Sequence, residues 1–397
     1  MATGHEQPSR LVVQFPRLGP YHAARLEAAG RRGDVLALET SAGVDAYLWE
    51  TAAGGARFAR QTLPAGAPGR LARTTAALAR ARPDVVALCG WSEPGALAGL
   101  RFCLRARVPA LVMSDSRRPV AQAWWIRALK ARLVRLFGAG LVGGAAHAEY
   151  LAEMGLPRER IFTGYDAVDN DHFARGADEA RLRAASVRRE RGLPDRYFLA
   201  CQRLIPEKNL PGLLAGFARY RRQAGHEAWD LVIAGDGPLR EEVVRRLVEL
   251  ELGPHVRMLG ALGYQELPAV YGLAGALVQA STSDTWGLAV NEAMAAALPV
   301  LVSRACGCAA ELVREGETGF SFEPNDGEAL AGLLLRLSRQ DEARRAAMGR
   351  AARAAIARLS PEAFADGLWS AARAAAAAGR AQPDRLAAAL VSTLARR

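Results

Sequence analysis

Residues 279–300 read QASTSDTWGLAVNEAMAAALPV, and this stretch decides the fold. The apolar run Ala276-Leu277-Val278 just ahead of it has the length and composition of a short buried strand. A polar loop follows, Ser281-Thr282-Ser283-Asp284-Thr285, then Trp286 and Gly287. From there Leu288, Val290, Ala293, Met294 and Ala297 recur at spacings that suit a helix packed on a sheet. Pro299 stops that helix, and Val300-Leu301-Val302 starts another strand. Strand, loop, helix, strand is the unit from which a parallel α/β sheet is built.

The chemistry of the stretch lies in two carboxylates, Asp284 and Glu292. Asp284 falls in the loop at the carboxyl end of a strand, where open parallel sheets bind ligands. Glu292 lies about one and a half turns into the helix. Between them the helix start offers free backbone N–H groups and a partial positive charge, so the backbone at Gly287 and Leu288 can seat a phosphate. A ligand spanning phosphate, Glu292 and Asp284 would carry hydroxyls on both sides of the phosphate, as a nucleotide-sugar does. A solvated loop aspartate and an ordinary surface glutamate fit the same letters.

At 397 residues the chain is long enough for two domains. Half of it is hydrophobic, yet no run approaches the ~20 apolar residues of a membrane helix. The opening MATGHEQPSR has no hydrophobic core region and does not read as a secretory signal. Cys89, Cys103, Cys201, Cys306 and Cys308 sit mostly in apolar contexts and read as buried free thiols of a cytoplasmic protein. Cys306-Gly307-Cys308 lacks the spacing and companions of a zinc set, so no metal is expected. The formal net charge of +11 raises nucleic-acid binding, but the cations are dispersed and no nucleic-acid motif accompanies them. Only Lys130 and Lys208 are lysines among 52 basic residues. A lysine kept against such a bias marks a place where a compact ammonium serves better than a guanidinium.

Taken in order, Leu11 to Phe15 reads as a first strand, followed by a loop holding Gly19 and a helix whose first turn holds His22. Gly19 would let backbone approach a ligand. His22 has two readings, a cleft residue or a first-turn cap. Residues 34–39, 44–49 and 84–89 read as strands, and 108–113 runs into Ser114-Asp115-Ser116. These belong to one doubly wound domain with polar residues at its strand ends. The Arg-rich helix of residues 180–191 leads to Gly192-Leu193-Pro194, which places the boundary near residue 195. The second domain restarts with Tyr197 to Cys201. Arg203 then leaves a strand end and Lys208 opens the next helix, so both cations can reach one crevice. The expected domains are 1–195, 196–359 and a helical tail, 360–397.

An acidic residue, seven residues, then Glu-Ala-Met-Ala before Pro-Val resembles the E-x7-E region of retaining GT-B glycosyltransferases, glycosyltransferase family 4 among the glycosyl transferases group 1. Arg203-Leu204 with Lys208-Asn209, the turn Gly235-Asp236-Gly237-Pro238 and the Asp/Asn-rich residues 164–173 are similar to segments of that family. The likeness covers residues 197–336 strongly and the N-terminal half by architecture only. Asp284 stands for the usual Glu, Trp286 for Phe and Gln202 for Gly. The resemblance implies two facing Rossmann-like doubly wound domains, with a C-terminal helix crossing back to the first. It implies sugar transfer from a nucleoside diphosphate sugar, such as a UDP- or GDP-sugar, with retention and with neither metal nor cofactor. Arg203 and Lys208 would hold the diphosphate, Asp284 the donor sugar and Glu292 the ribose, with Gly235 and Gly237 nearby. Where relatives carry a histidine at the transfer site, the comparable loop here is Ser114-Asp115-Ser116. Asp115 then either serves an acceptor hydroxyl or merely shapes the turn. A nucleotide-sugar epimerase, a glycoside hydrolase using Asp284 and Glu292, and a basic nucleic-acid binder are the rival readings.

Residues 124–137, WWIRALKARLVRLF, form a helix on which Trp125, Ile126, Leu129, Leu133, Leu136 and Phe137 share one arc. Lys130 and Arg132 flank it, Arg127 and Arg135 lie further round, and Trp124 points away. The pattern fits a helix lying on a membrane at the inner face, with a lipid or lipid-linked glycan as acceptor, and equally a helix covering a sheet.

Overall fold

The computed structural model describes residues 8–40, 57–64, 69–119, 121–379 and 385–395. The strand read at residues 44–49 lies outside them. The chain divides into two compact units, Met1–Ala167 with Leu359–Arg397, and Val168–Arg358.

The first unit runs β1 (Arg10–Phe15), α1 (Pro20–Gly30), β2 (Asp34–Glu39), β3 (Ala59–Thr62), α2 (Arg70–Ala81), β4 (Val85–Cys89), α3 (Pro94–Ala106), β5 (Ala110–Ser114), α4 (Trp124–Val134), β6 (Ala139–Val142), α5 (Ala145–Glu153) and β7 (Ile161–Thr163). Its sheet is parallel throughout, in the order β3-β2-β1-β4-β5-β6-β7. The strands read as unbroken apolar runs because both faces are covered. Alternate residues feed two cores, Val12, Val86 and Val112 into one and Leu11, Val13, Val85 and Leu111 into the other.

The second unit runs α6 (Asn170–Leu182), α7 (Ala184–Arg191), β8 (Tyr197–Cys201), α8 (Leu210–Ala224), β9 (Asp230–Ala234), α9 (Arg240–Glu249), β10 (Val256–Gly260), α10 (Leu267–Leu273), β11 (Ala276–Gln279), α11 (Leu288–Ala295), β12 (Val300–Ser303), α12 (Ala309–Leu312), β13 (Gly319–Phe322), α13 (Gly327–Arg339) and α14 (Glu342–Ile356). Its parallel sheet has the order β10-β9-β8-β11-β12-β13. The strand order reverses between β8 and β11, the switch point at which such sheets hold ligands. Those two strands pair only at Ala276–Phe198 and Leu277–Leu199, so they part before their carboxyl ends.

The division falls at residue 167, ahead of the boundary near residue 195 read from the glycine and proline. The cause is tertiary. Phe173 of α6 meets Tyr271 of α10 edge-on at 5.8 Å, and Arg181 of α6 donates to the Ala296 carbonyl at the end of α11. Arg353 of α14 donates to the neighbouring Ala295 carbonyl at 2.9 Å, and both guanidiniums pair with Asp178. Two cations at that terminus complement the helix dipole and satisfy carbonyls that the helix leaves open.

The chain ends with α15 (Pro361–Ala378) and α16 (Arg385–Leu394), both in the first unit. Phe364, Leu368, Trp369, Ala372 and Ala375 of α15 lie in the same core as Leu11 and Val13. The Trp369 indole N–H donates to the Ala29 carbonyl at 2.9 Å. A Cβ on Gly138 would stand 2.9 Å from Ala375, so the alanine-rich sequence is a close-packed face. The reading of this helix as one that packs on the first domain agrees with its place in that core.

Candidate active site

In the second unit the site is built at the carboxyl ends of β8 and β11. Lys208 ends a short 3-10 turn after β8, and its Nζ lies 2.5 Å from Asp284 Oδ2. Both side chains are mostly buried, 16% and 11% exposed. Backbone fixes this meeting. Thr282 N–H donates to the Glu207 carbonyl at 2.9 Å, tying the two loops together. Asn209, in left-handed conformation, caps α8 through Gly212 N–H and donates to the carbonyls of Ala280 and Pro324. Asn209 therefore holds the Lys208 turn against two other strand ends.

The loop carrying Asp284 is clamped from behind. Gly307 N–H donates to the Asp284 carbonyl and Cys308 N–H to the Trp286 carbonyl, each at 3.1 Å. A Cβ on Gly307 would lie 1.8 Å from the Thr285 carbonyl oxygen, so the small residues of Cys306-Gly307-Cys308 serve close packing. Buried Trp286 donates its indole N–H to Asn291 Oδ1 at 2.8 Å, locking the loop to the helix it introduces. Gly287 has φ +105, a conformation that favours glycine, and caps α11 with no side-chain hydrogen bond. A Cβ there would stand 3.5 Å from Asp284 Oδ2, so the carboxylate lies beside the helix start.

Glu292 is buried, and its Oε2 accepts from Tyr271 Oη at 2.6 Å. Burial, then the neighbouring Cys201 and Glu292, raise the Tyr271 pKa well above its ordinary value. Cys201 at the end of β8 adjoins the same group; burial and Glu292 raise its thiol pKa, a hydrogen bond with Tyr271 opposes them, and the result is about 12. Arg203 is exposed just beyond β8.

Two glutamines complete the crevice; the sequence reading noted Gln202 only as standing for Gly and gave Gln279 no role. Gln279 donates to Ser281 Oγ at 3.0 Å and Asp284 Oδ2 at 3.2 Å. Gln202 donates to the Lys208 carbonyl at 3.3 Å. The Oε1 atom of each is buried without a partner among the described residues. A glutamine in the otherwise apolar strand Ala-Leu-Val-Gln was the available signal for the first. Tyr271 gave none, since tyrosine suits a helix core equally well.

Gly235 and Gly237 lie where two loops approach closely. Gly235 has φ +141, and a Cβ there would lie 1.9 Å from the Gln202 carbonyl oxygen. One on Gly237 would lie 2.6 Å from the Leu204 carbonyl oxygen. They let the loop after β9 pass close to the loop after β8.

The first unit has its own switch point, between β1 and β4. Gly19 is extended at φ −103, and its N–H donates to His22 Nδ1 at 3.0 Å. Burial, then Arg25, push the His22 pKa down to about 3, so the ring is neutral and acts as a cap. Gly144 and His147 repeat this cap at α5. Glu39 accepts from Leu18 N–H at 3.0 Å, Arg60 at 2.7 Å and Thr62 at 2.9 Å, fixing the loop after β1. Ser114 Oγ accepts from Ser116 N–H at 3.1 Å, the turn-forming use of that loop. Half-buried Asp115 lies near Cys89 and Tyr165, whose Sγ and Oη are 3.3 Å apart. Burial raises the Cys89 thiol most, Asp115 and Glu93 add to it, Tyr165 and Arg25 oppose it, and its pKa stands at about 11. Arg25 donates to the Ala167 carbonyl at 2.7 Å beneath this group.

Among the described residues no group of three His, Cys, Asp or Glu could hold a metal ion. The sequence from 185 to 355 matches the family model of the glycosyl transferases group 1. The chain carries a group 1 glycosyltransferase domain.

The chain is also similar to parts of curated proteins. A sulfoquinovosyl transferase of Arabidopsis thaliana is 33% identical over 150 residues, covering 35% of this chain and 28% of the relative. A glycogen synthase of Mycobacterium tuberculosis is 33% identical over 187 residues, covering 47% and 43%. The chain thus spans less than half the length of either relative. The structure of Anabaena HepE in complex with UDP aligns over 91% of this chain and 98% of that one, with a TM-score of 0.68 and 18% identity. The two parallel-sheet units and this likeness show the GT-B α/β fold.

Proposed function

We propose that the group 1 glycosyltransferase domain takes a nucleoside diphosphate sugar at the β8/β11 crevice, and that the protein transfers the sugar to an acceptor hydroxyl with retention of configuration. The observation that carries this reading is the Lys208–Asp284 pair beside the amide-ended start of α11, at the switch point of the sheet. The free N–H groups at Gly287 and Leu288 and the Lys208 ammonium suit a diphosphate, with exposed Arg203 a second cation. These cations offset the charge that develops on the departing nucleotide, so the reaction needs no metal. Asp284 and the unpartnered Oε1 of Gln279 are acceptors for donor-sugar hydroxyls. Glu292, oriented by Tyr271 at its Oε2, accepts from the ribose hydroxyls. Asp115, in the loop after β5 and near Cys89 at the end of β4, orients the acceptor. Glycan, lipid-linked glycan and lipid acceptors all fit this chemistry, and the free cysteines suit a cytoplasmic enzyme.

The test is a panel of UDP-, GDP- and ADP-sugars, each with and without glycan and lipid acceptors. Acceptor-dependent nucleotide release, with the product anomer matching the donor's, is the expected result. Release of free sugar without acceptor would support the epimerase reading instead. Cleavage of plain glycosides with no nucleotide would support the hydrolase.

A further inference from the structure

The helix α4 buries little of what its sequence offers. Leu133 and Val134, with Leu136 and Phe137 just beyond the helix, enter the core. Trp125 and Leu129, read as part of the same arc, stay 54% and 41% exposed, and Trp124 is 81% exposed. At 100° per residue Trp124, Ala128, Arg132 and Trp125 lie on the side opposite Leu133 and Val134, with Arg135 between Trp124 and Ala128. A surface helix ordinarily presents polar residues there.

The charge on this surface is of one sign. Between Ser116 and Ala148 stand Arg117, Arg118, Arg127, Lys130, Arg132 and Arg135, and no acidic residue. Glu153 of α5 pairs with Arg118 and Arg127. Arg132 and Arg135 are exposed. The opposite side of α4 is covered within its own unit, by the sheet core and by α16. No described helix is long and apolar enough to cross a membrane. Exposed tryptophans interleaved with arginines are the composition of a helix lying in a bilayer interface, where indoles reach the headgroup level and cations meet anionic lipid.

We propose that α4 docks the protein on a bilayer surface bearing anionic lipids, through Trp124, Trp125 and Leu129 with Arg132 and Arg135. This goes beyond the transfer reaction and does not depend on it. Docking would bring the first unit to an acceptor held in the membrane.

The experiment is flotation of the full-length protein with vesicles of phosphatidylcholine alone or with about 30 mol % phosphatidylglycerol. Two variants accompany the parent, Trp124→Ser/Trp125→Ser/Leu129→Ser and Arg132→Glu/Arg135→Glu, all at exposed positions. The parent is expected to bind the anionic vesicles at least ~10-fold better and to be released by added salt. Each variant is expected to lose ~10-fold or more of that binding. Equal binding of the parent to both vesicles, or parent-like binding by both variants, would overturn the proposal. Parent self-association that the tryptophan variant abolishes, with no vesicle binding, would assign the face to a second copy and equally overturn it. UDP and GDP binding measured on the same samples keeps the two questions apart. Failure there in the parent counts against the donor reading alone, whereas intact donor binding with no flotation counts against docking alone.

Discussion

Replacing Asp284 with asparagine should tighten nucleotide binding while slowing transfer, a split that follows from the Lys208–Asp284 pair. The Lys208 ammonium faces the Asp284 carboxylate 2.5 Å away, with both groups mostly shielded from water. A diphosphate arriving at the start of α11 must share Lys208 with that carboxylate and bear its repulsion. For charges about 7 Å apart at an effective dielectric near 20, the repulsion is about 2 kcal/mol per unit charge before salt screening. The amide of the Asp284→Asn variant would keep the shape and the contact with Gln279 but not the charge, so UDP or GDP should bind about tenfold tighter, or ~1.4 kcal/mol. Transfer should fall by roughly 10²-fold, because the group held against the donor sugar has lost its charge. Isothermal titration with the nucleoside diphosphate and steady-state transfer with the best donor give the two numbers. Weaker nucleotide binding in Asp284→Asn would refute the reasoning, since it would mean that the carboxylate helps to hold the diphosphate.

Lys208→Ala and Arg203→Ala should each lower turnover by roughly 10² or more, about 3 kcal/mol of transition-state stabilisation. Lys208→Arg should be nearly as poor, because a planar guanidinium does not fit a mostly buried site shaped for an ammonium; near-parent turnover would remove the argument from lysine scarcity. Glu292→Gln should raise the donor KM about tenfold with the melting temperature little changed, because the side chain keeps its shape and loses a charge-assisted acceptor. Unchanged affinity for the nucleoside diphosphate would contradict the ribose role. Burial pushes the Glu39 pKa up, but hydrogen bonds from Arg60, the Leu18 amide and Thr62 outweigh it and leave the folded value below the ordinary one. Its contribution to stability is therefore present above the unfolded-state pKa and lost as pH falls through the folded one. Thermal unfolding of parent and Glu39→Gln at stepped pH should show the parent's advantage at pH 7 shrinking below about pH 4.5.

The fold was legible because both sheets are parallel and buried on two faces, so their strands appear as apolar runs, several of which end at Gly or Ser. Asp284, Gly287, Glu292 and Lys208 could be marked because a strand end and a helix start leave chemistry in the letters. What stayed hidden depends on contacts far apart in sequence. The Arg-rich residues 180–191 read as the approach to a boundary near residue 195, yet Phe173 and Arg181 bind α6 into the second unit. His22 could be read as a cleft residue or, more commonly for a first turn, a cap, and its Nδ1 accepts from the Gly19 amide. The tight approach of Gly235 and Gly237 to the Gln202 and Leu204 carbonyls likewise joins loops roughly thirty residues apart, about the length of a strand–helix–strand unit. Tyr271 and Gln279 take on meaning only through the carboxylates they touch.

The central claim is that a nucleoside diphosphate binds in the second unit with its phosphates at the start of α11. A crystal structure of the protein with UDP or GDP tests it directly. The account predicts a phosphate oxygen within hydrogen-bond distance of the Leu288 N–H and of Lys208 Nζ, with the ribose on Glu292. Phosphate bound elsewhere, with Lys208 still on Asp284 and the α11 amides untouched, would contradict it.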